Sequence, residues 1–101
     1  MLTSKQRAQL RGLASKLDTT LHVGKAGITE TVTSQLLEAL QVHELVKGKV
    51  LENAPVSPRE ACDALAAATG ADSVQVIGSK FVLYRPNPEL PKDKRIKLVK
   101  D

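Results

Sequence analysis

The chain has 101 residues, enough for one domain with a single modest core. Hydrophobic residues make up 42% and charged residues 26%, an ordinary soluble composition, and 15 Lys plus Arg against 11 Asp plus Glu give a net charge of +4, which suits an anionic partner. No apolar run reaches the roughly 18 residues of a membrane span, the N-terminus lacks the apolar core of a secretory signal, so a cytoplasmic protein is expected, and a single cysteine, Cys62, excludes an internal disulfide.

Thr3 and Gln6 have the spacing of a capping box, and Leu10, Leu13, Ala14 and Leu17 follow at helical intervals. An amphipathic helix is predicted over 4–17. Its polar surface is cationic, with Arg7 and Arg11 on one flank of the apolar stripe and Lys5 and Lys16 on the other. Leu21-His22-Val23 reads as a short buried strand, and Gly24-Lys25-Ala26-Gly27 as a loop. A second helix is predicted over 29–43, with Thr29 as N-cap and Glu30 in its first turn. Residues 45–51 have a strand's period, with Val46, Gly48 and Val50 on one face and Leu45, Lys47, Lys49 and Leu51 on the other.

Ser57-Pro58-Arg59-Glu60 combines an N-cap serine, a first-turn proline and a reciprocal glutamate, so a third helix starts there. Cys62, Leu65, Ala66 and Thr69 form its apolar stripe, and Gly70 ends it. Strands over 74–77 and 81–85 follow, joined by a tight turn at Gly78-Ser79. Residues 86–101 open with three prolines and continue with Lys92, Lys94, Arg95, Lys97 and Lys100. They read as a basic tail without a core of its own, although Ile96, Leu98 and Val99 could dock on a sheet edge. The predicted fold is α/β (α+β), in the order α-β-α-β-α-β-β, with helices packed on a four-stranded mixed sheet.

Catalysis finds little support. Cys62 lies on an apolar stripe, His43 closes a helix end, and no pair of acids has an acid/base spacing. One cysteine and two histidines are too few for a convincing metal site. No enzyme activity, metal or cofactor is therefore expected.

The 24–27 loop is neither a Walker A loop nor a dinucleotide fingerprint. What remains is G-x-x-G between a strand and a helix start, where bare backbone, helix amides and Lys25 suit a phosphate. The plain alternative is a tight strand-to-helix turn. Charge segregation favours a binding surface: residues 1–25 carry Lys5, Arg7, Arg11, Lys16 and Lys25 against Asp18. Residues 26–85 carry five basic residues against seven acids. Lys47 and Lys49 fit either a lysine-guarded sheet face or edge, or an extension of the cationic surface. Phe81 and Tyr84 sit at odd spacing on one strand, so at most one could join a stacking platform. Recognition is expected to rest on phosphate contacts and shape.

Leu2-Thr3-Ser4-Lys5-Gln6-Arg7, Val23-Gly24-Lys25-Ala26-Gly27, the segment His43 to Val50 and the hairpin Val74 to Arg85 together resemble the CRM domain, closest to the short, stand-alone bacterial YhbY-type proteins. The resemblance covers about residues 1–85 and leaves the tail outside. It implies an RNA-binding fold similar to the C-terminal domain of bacterial translation initiation factor three. It also implies RNA contact at the G-x-x-G loop, and ribosomal RNA or pre-ribosomal particles of the large subunit as the target. Ala26 stands where the family usually has glycine. The change is costly if that position needs a positive φ and harmless otherwise. The expected RNA-binding residues are Gly24, Lys25, Ala26 and Gly27 with Lys5, Arg7, Arg11 and Lys16. A monomer is favoured. The competing reading is an interaction adaptor whose basic face meets an acidic protein.

Overall fold

The computed structural model describes residues 2–100. Three helices pack on a four-stranded mixed sheet. Helix α1 spans Ser4–Ala14, and Thr3 and Gln6 form the reciprocal capping box. It stops one turn short of the predicted end. Leu13 and Leu17 are 40% and 38% exposed, so the buried stripe is Leu10 and Ala14 alone. Strand β1, Leu21–Val23, leads through the glycine loop to α2, Glu30–His43, capped by the Thr29 hydroxyl. Strand β2 is Leu45–Val50. Helix α3, Pro58–Thr69, starts on a Ser57/Glu60 capping box and ends on left-handed Gly70. Strands β3, Asp72–Ile77, and β4, Lys80–Tyr84, form a hairpin across Gly78-Ser79, with Gly78 at positive φ.

The strand order is β1-β2-β4-β3. β1 and β2 pair parallel, as the β1-α2-β2 crossover predicts. β3 does not lie beside β2 as a second crossover would suggest. β4 enters between them and pairs antiparallel with both. An irregularity between Ser73 and Gln75 turns Val74 toward the α1 side.

Strand alternation then divides the interior in two. On one face Leu21, Val23, Val46, Val50, Phe81 and Leu83 pack against Leu36 and Leu40 of α2 and Ala61, Cys62 and Leu65 of α3. On the other face Leu45, Val74, Val82 and Tyr84 pack under Leu10 and Ala14 of α1. Gly48 faces the Phe81 ring, its partner across the β2–β4 ladder. A Cβ there would lie 2.6 Å from Phe81 Cε2, so only glycine fits beneath the ring.

Residues 86–98 lie on the domain. Glu44, buried at the α2 C-cap with φ 61°, accepts from the backbone amide of Asn87 at 2.5 Å and from that of Ile96 at 2.6 Å. Ile96 and Leu98 pack on the α1-side cluster. Gln9 donates to the Lys97 carbonyl and accepts from the Val99 amide, so the segment runs alongside α1. The stretch with no core of its own borrows one from α1.

Candidate nucleic-acid interface

Residues 24–27 form a turn in which the Gly27 amide donates to the Gly24 carbonyl at 2.9 Å. The two glycines differ in role. Gly27 is buried at φ +73°, and a Cβ there would press on Pro55 at 3.1 Å, so this position needs glycine. Gly24 has no positive φ, and a Cβ there would only touch Leu51 at 3.6 Å. Ala26 has no positive φ either, so alanine is unstrained and the turn keeps its shape. Lys25 and Ala26 form the exposed tip. Behind the turn, the Val32 amide is taken by the Thr29 hydroxyl, and Glu30 places a carboxylate in the first turn of α2. The positive charge of this loop is therefore chiefly Lys25.

The four cations of the first helical segment part ways. Arg7 is half-buried, and its guanidinium donates to the Ser73 carbonyl of β3, which ties α1 to the sheet. Lys5, Arg11 and Lys16 are exposed. Among the described residues the one ion pair is Arg59–Asp63 on α3, at 4.0 Å with both side chains largely solvated. Lys5, Arg11, Lys16 and Lys25 thus carry uncompensated charge.

The structure adds a group that the sequence left open. The α1 face of the sheet is covered only at one end. At the other end, register aligns His22, Lys49, Lys80 and Ile77 in one row across all four strands. Lys47 stands in the next row, opposite Val82. A cleft of about 420 Å³ between the end of α1 and this part of the sheet is lined by Arg11, Lys47, Gln75, Ile77 and Lys80, among others. The Lys47 ammonium donates to the Ala14 carbonyl at 3.5 Å, where a cation complements the helix C-terminus. The alternation of residues 45–51 carried half of this signal. Lys80 and His22 join it only through strand pairing.

The one cysteine is not placed as a nucleophile. Cys62 is buried, its Sγ lies 3.3 Å from Ser73 Oγ, and burial pushes its thiol pKa up, which disfavours a nucleophilic thiolate. Among the described residues no group of three His, Cys, Asp or Glu could hold a metal ion, and no helix is long and apolar enough to cross a membrane. Both aromatics are buried on opposite faces, Phe81 under α2 and α3 and Tyr84 under α1. Neither offers a ring to a base.

Comparison with known proteins gives consistent results. The family model of the CRS1/YhbY (CRM) domain matches residues 2–85. The Bacillus subtilis (strain 168) protein named "Probable RNA-binding protein YqeI" is 37% identical over 89 residues, covering 88% of this chain and 93% of the relative. An RNA-binding protein of Haemophilus influenzae is 39% identical over 88 residues, covering 87% and 89%. Among solved structures, the Staphylococcus aureus protein SAV1595, provisionally assigned as RNA-binding, superposes with a TM-score of 0.79. It is 39% identical and covers 98% of this chain and 100% of its own.

Proposed function

The chain belongs to the CRS1/YhbY (CRM) domain family, and from that premise we propose that it binds RNA without catalysis, through the exposed tip of the 24–27 turn and the cations of α1. The observation that carries this reading is that Lys5, Arg11, Lys16 and Lys25 have no carboxylate partner among the described residues, together with the burial of both aromatics. Such a surface attracts phosphate and offers no Phe, Tyr or Trp ring to a base, so affinity comes chiefly from the backbone and falls with salt. The turn that carries Lys25 closes through the Gly27 amide on the Gly24 carbonyl, with Gly27 buried next to Pro55. Arg7 serves here as an anchor of α1 more than as a phosphate contact.

The family resemblance extends the proposal to ribosomal RNA in precursors of the large subunit, in the cytoplasm. Crosslinking in cells with sequencing of the bound RNA tests that target, and the expected result is enrichment of large-subunit precursor RNA. An even spread over messenger and transfer RNA would overturn it.

The loop is tested in vitro with two variants at the exposed tip. Lys25→Ala should weaken binding and lower the salt slope by about 0.7, the share of one neutralised phosphate on single-stranded RNA. Ala26→Asp should weaken binding more, because it sets a carboxylate beside the approaching phosphate. Both should leave the melting temperature unchanged, since neither side chain is buried. Wild-type affinity at low salt in both variants would remove the loop from the interface.

A further inference from the structure

We propose that the uncovered end of the α1 face is a binding surface for the backbone of base-paired RNA, with Lys47, Lys49 and Lys80 as its phosphate contacts. This rests on the RNA-binding reading and adds to it a site and a substrate class. The three lysines come from β2 and β4, which are the two inner strands of the sheet. Guarding an open edge against strand addition therefore does not explain them, because each strand is already paired on both sides. Their alternate neighbours on the same face, Leu45, Val82 and Tyr84, are apolar and covered, so the switch to lysine coincides with the end of the helical cover.

The geometry suits a backbone. Lys49 and Lys80 are direct cross-strand partners, about 5 Å apart at the main chain, and Lys47 lies about 7 Å along from Lys49. Arg11 joins them across the cleft from α1, and His22 extends the row on β1. Like charges on directly opposed residues repel, which disfavours this arrangement unless an anion bridges it. Among the described residues none of these side chains has a carboxylate partner.

The choice of base-paired RNA follows from what the surface lacks. Unpaired bases are held mainly by stacking on planar side chains, and here the rings of Phe81 and Tyr84 are sealed in the core, which leaves only the His22 imidazole on the row and the Arg11 guanidinium across the cleft. The one large apolar group at the row's end is Ile77, 59% exposed, which offers no π-face. A duplex presents the higher phosphate density and keeps its bases stacked on each other, so a flat lysine grid gains most from it.

The test uses the full chain and fluorescence anisotropy. Probes are an RNA duplex of about 16 base pairs, a span typical of double-strand binding modules, and each of its strands alone. The triple variant Lys47→Gln, Lys49→Gln, Lys80→Gln is compared with wild type, with Lys25→Ala, and with the corresponding triple arginine variant. The glutamine variant should lose about ten-fold or more in duplex affinity, and its salt slope should shrink by about 0.9 for each phosphate no longer neutralised. The single strands should be affected less. The arginine variant should bind as wild type, which separates charge from folding. Undiminished duplex binding by the glutamine variant overturns the inference, while weaker binding by Lys25→Ala in the same series leaves the loop reading standing. An equal loss on duplex and single strands overturns the assignment to paired RNA. Failure of the wild type to bind either probe overturns the RNA reading and this inference with it.

Discussion

On the α2/α3 side of the sheet, the inward residues of β1, β2 and β4 are sealed beneath two helices, and Gly48 makes room for Phe81. On the α1 side, one helix of eleven residues and a borrowed C-terminal segment cover only half of the strands. The same two-residue alternation runs through both faces. What differs is how far the cover reaches, and the residue types follow it: apolar under α1, lysine beyond it. One face thus commits its side chains to the core, and the other leaves part of its area to lysines.

The sharpest test sets neighbouring residues of β2 against each other. Gly48→Ala forces a methyl group into the Phe81 ring and should cost about 3 kcal/mol, the upper range for overpacking a core. Lys47→Gln, one residue away on the opposite face, should cost no more than about 1 kcal/mol, the worth of its cation at the α1 C-terminus. Urea denaturation measures both. A Gly48→Ala protein as stable as wild type would mean that the sealed face tolerates more than its packing implies.

Truncation after Arg85 probes the half-covered face. It strips Ile96 and Leu98 from the cluster around Leu10 and Tyr84, and removes the Asn87 and Ile96 amides from Glu44. The remaining residues should stay folded by circular dichroism and lose about 2 kcal/mol, the worth of two part-buried aliphatic side chains. An unchanged melting curve would make the segment a passive cover. Complete unfolding would make it a structural element, and the division of the chain after residue 85 would go.

The smallest effect separates two arginines that share a helix flank. Arg7→Ala should cost about 1 kcal/mol by removing the bond to the Ser73 carbonyl, and should leave the salt slope of RNA binding alone. Arg11→Ala should lower the salt slope and leave stability alone. Reversed outcomes would exchange their roles.

Much of the fold is legible in the sequence because local signals carry it. Two capping boxes, the Thr29 cap, the Gly70 stop and the alternation of β2 each depend on residues within a few positions of one another. The turn at 24–27 is legible too, but not which of its glycines is obligatory, since that depends on Pro55 in a distant connection. Long-range pairing hides the rest. Nothing near residue 80 announces that β4 slots between β2 and β3, so the row from His22 to Ile77 cannot be drawn from sequence. Arg7 looks like its neighbour Arg11 until Ser73 is placed beside it. No residue adjacent to Glu44 marks that acid as buried, and only the returning chain at Asn87 and Ile96 explains it.

The position of β4 also bears on how the protein is made. It is the fourth strand in chain order and an inner strand in space, so β2 and β3 have no common partner until residues 80–84 emerge. Until then α1, the β1-α2-β2 unit and α3 lack the strand whose Phe81 and Leu83 complete one core and whose Val82 and Tyr84 complete the other. Insertion of β4 closes both ladders at once and joins the two halves of the sheet. A chain cut short before β4 has an unpaired β2 flank, a ready template for strand addition by another chain.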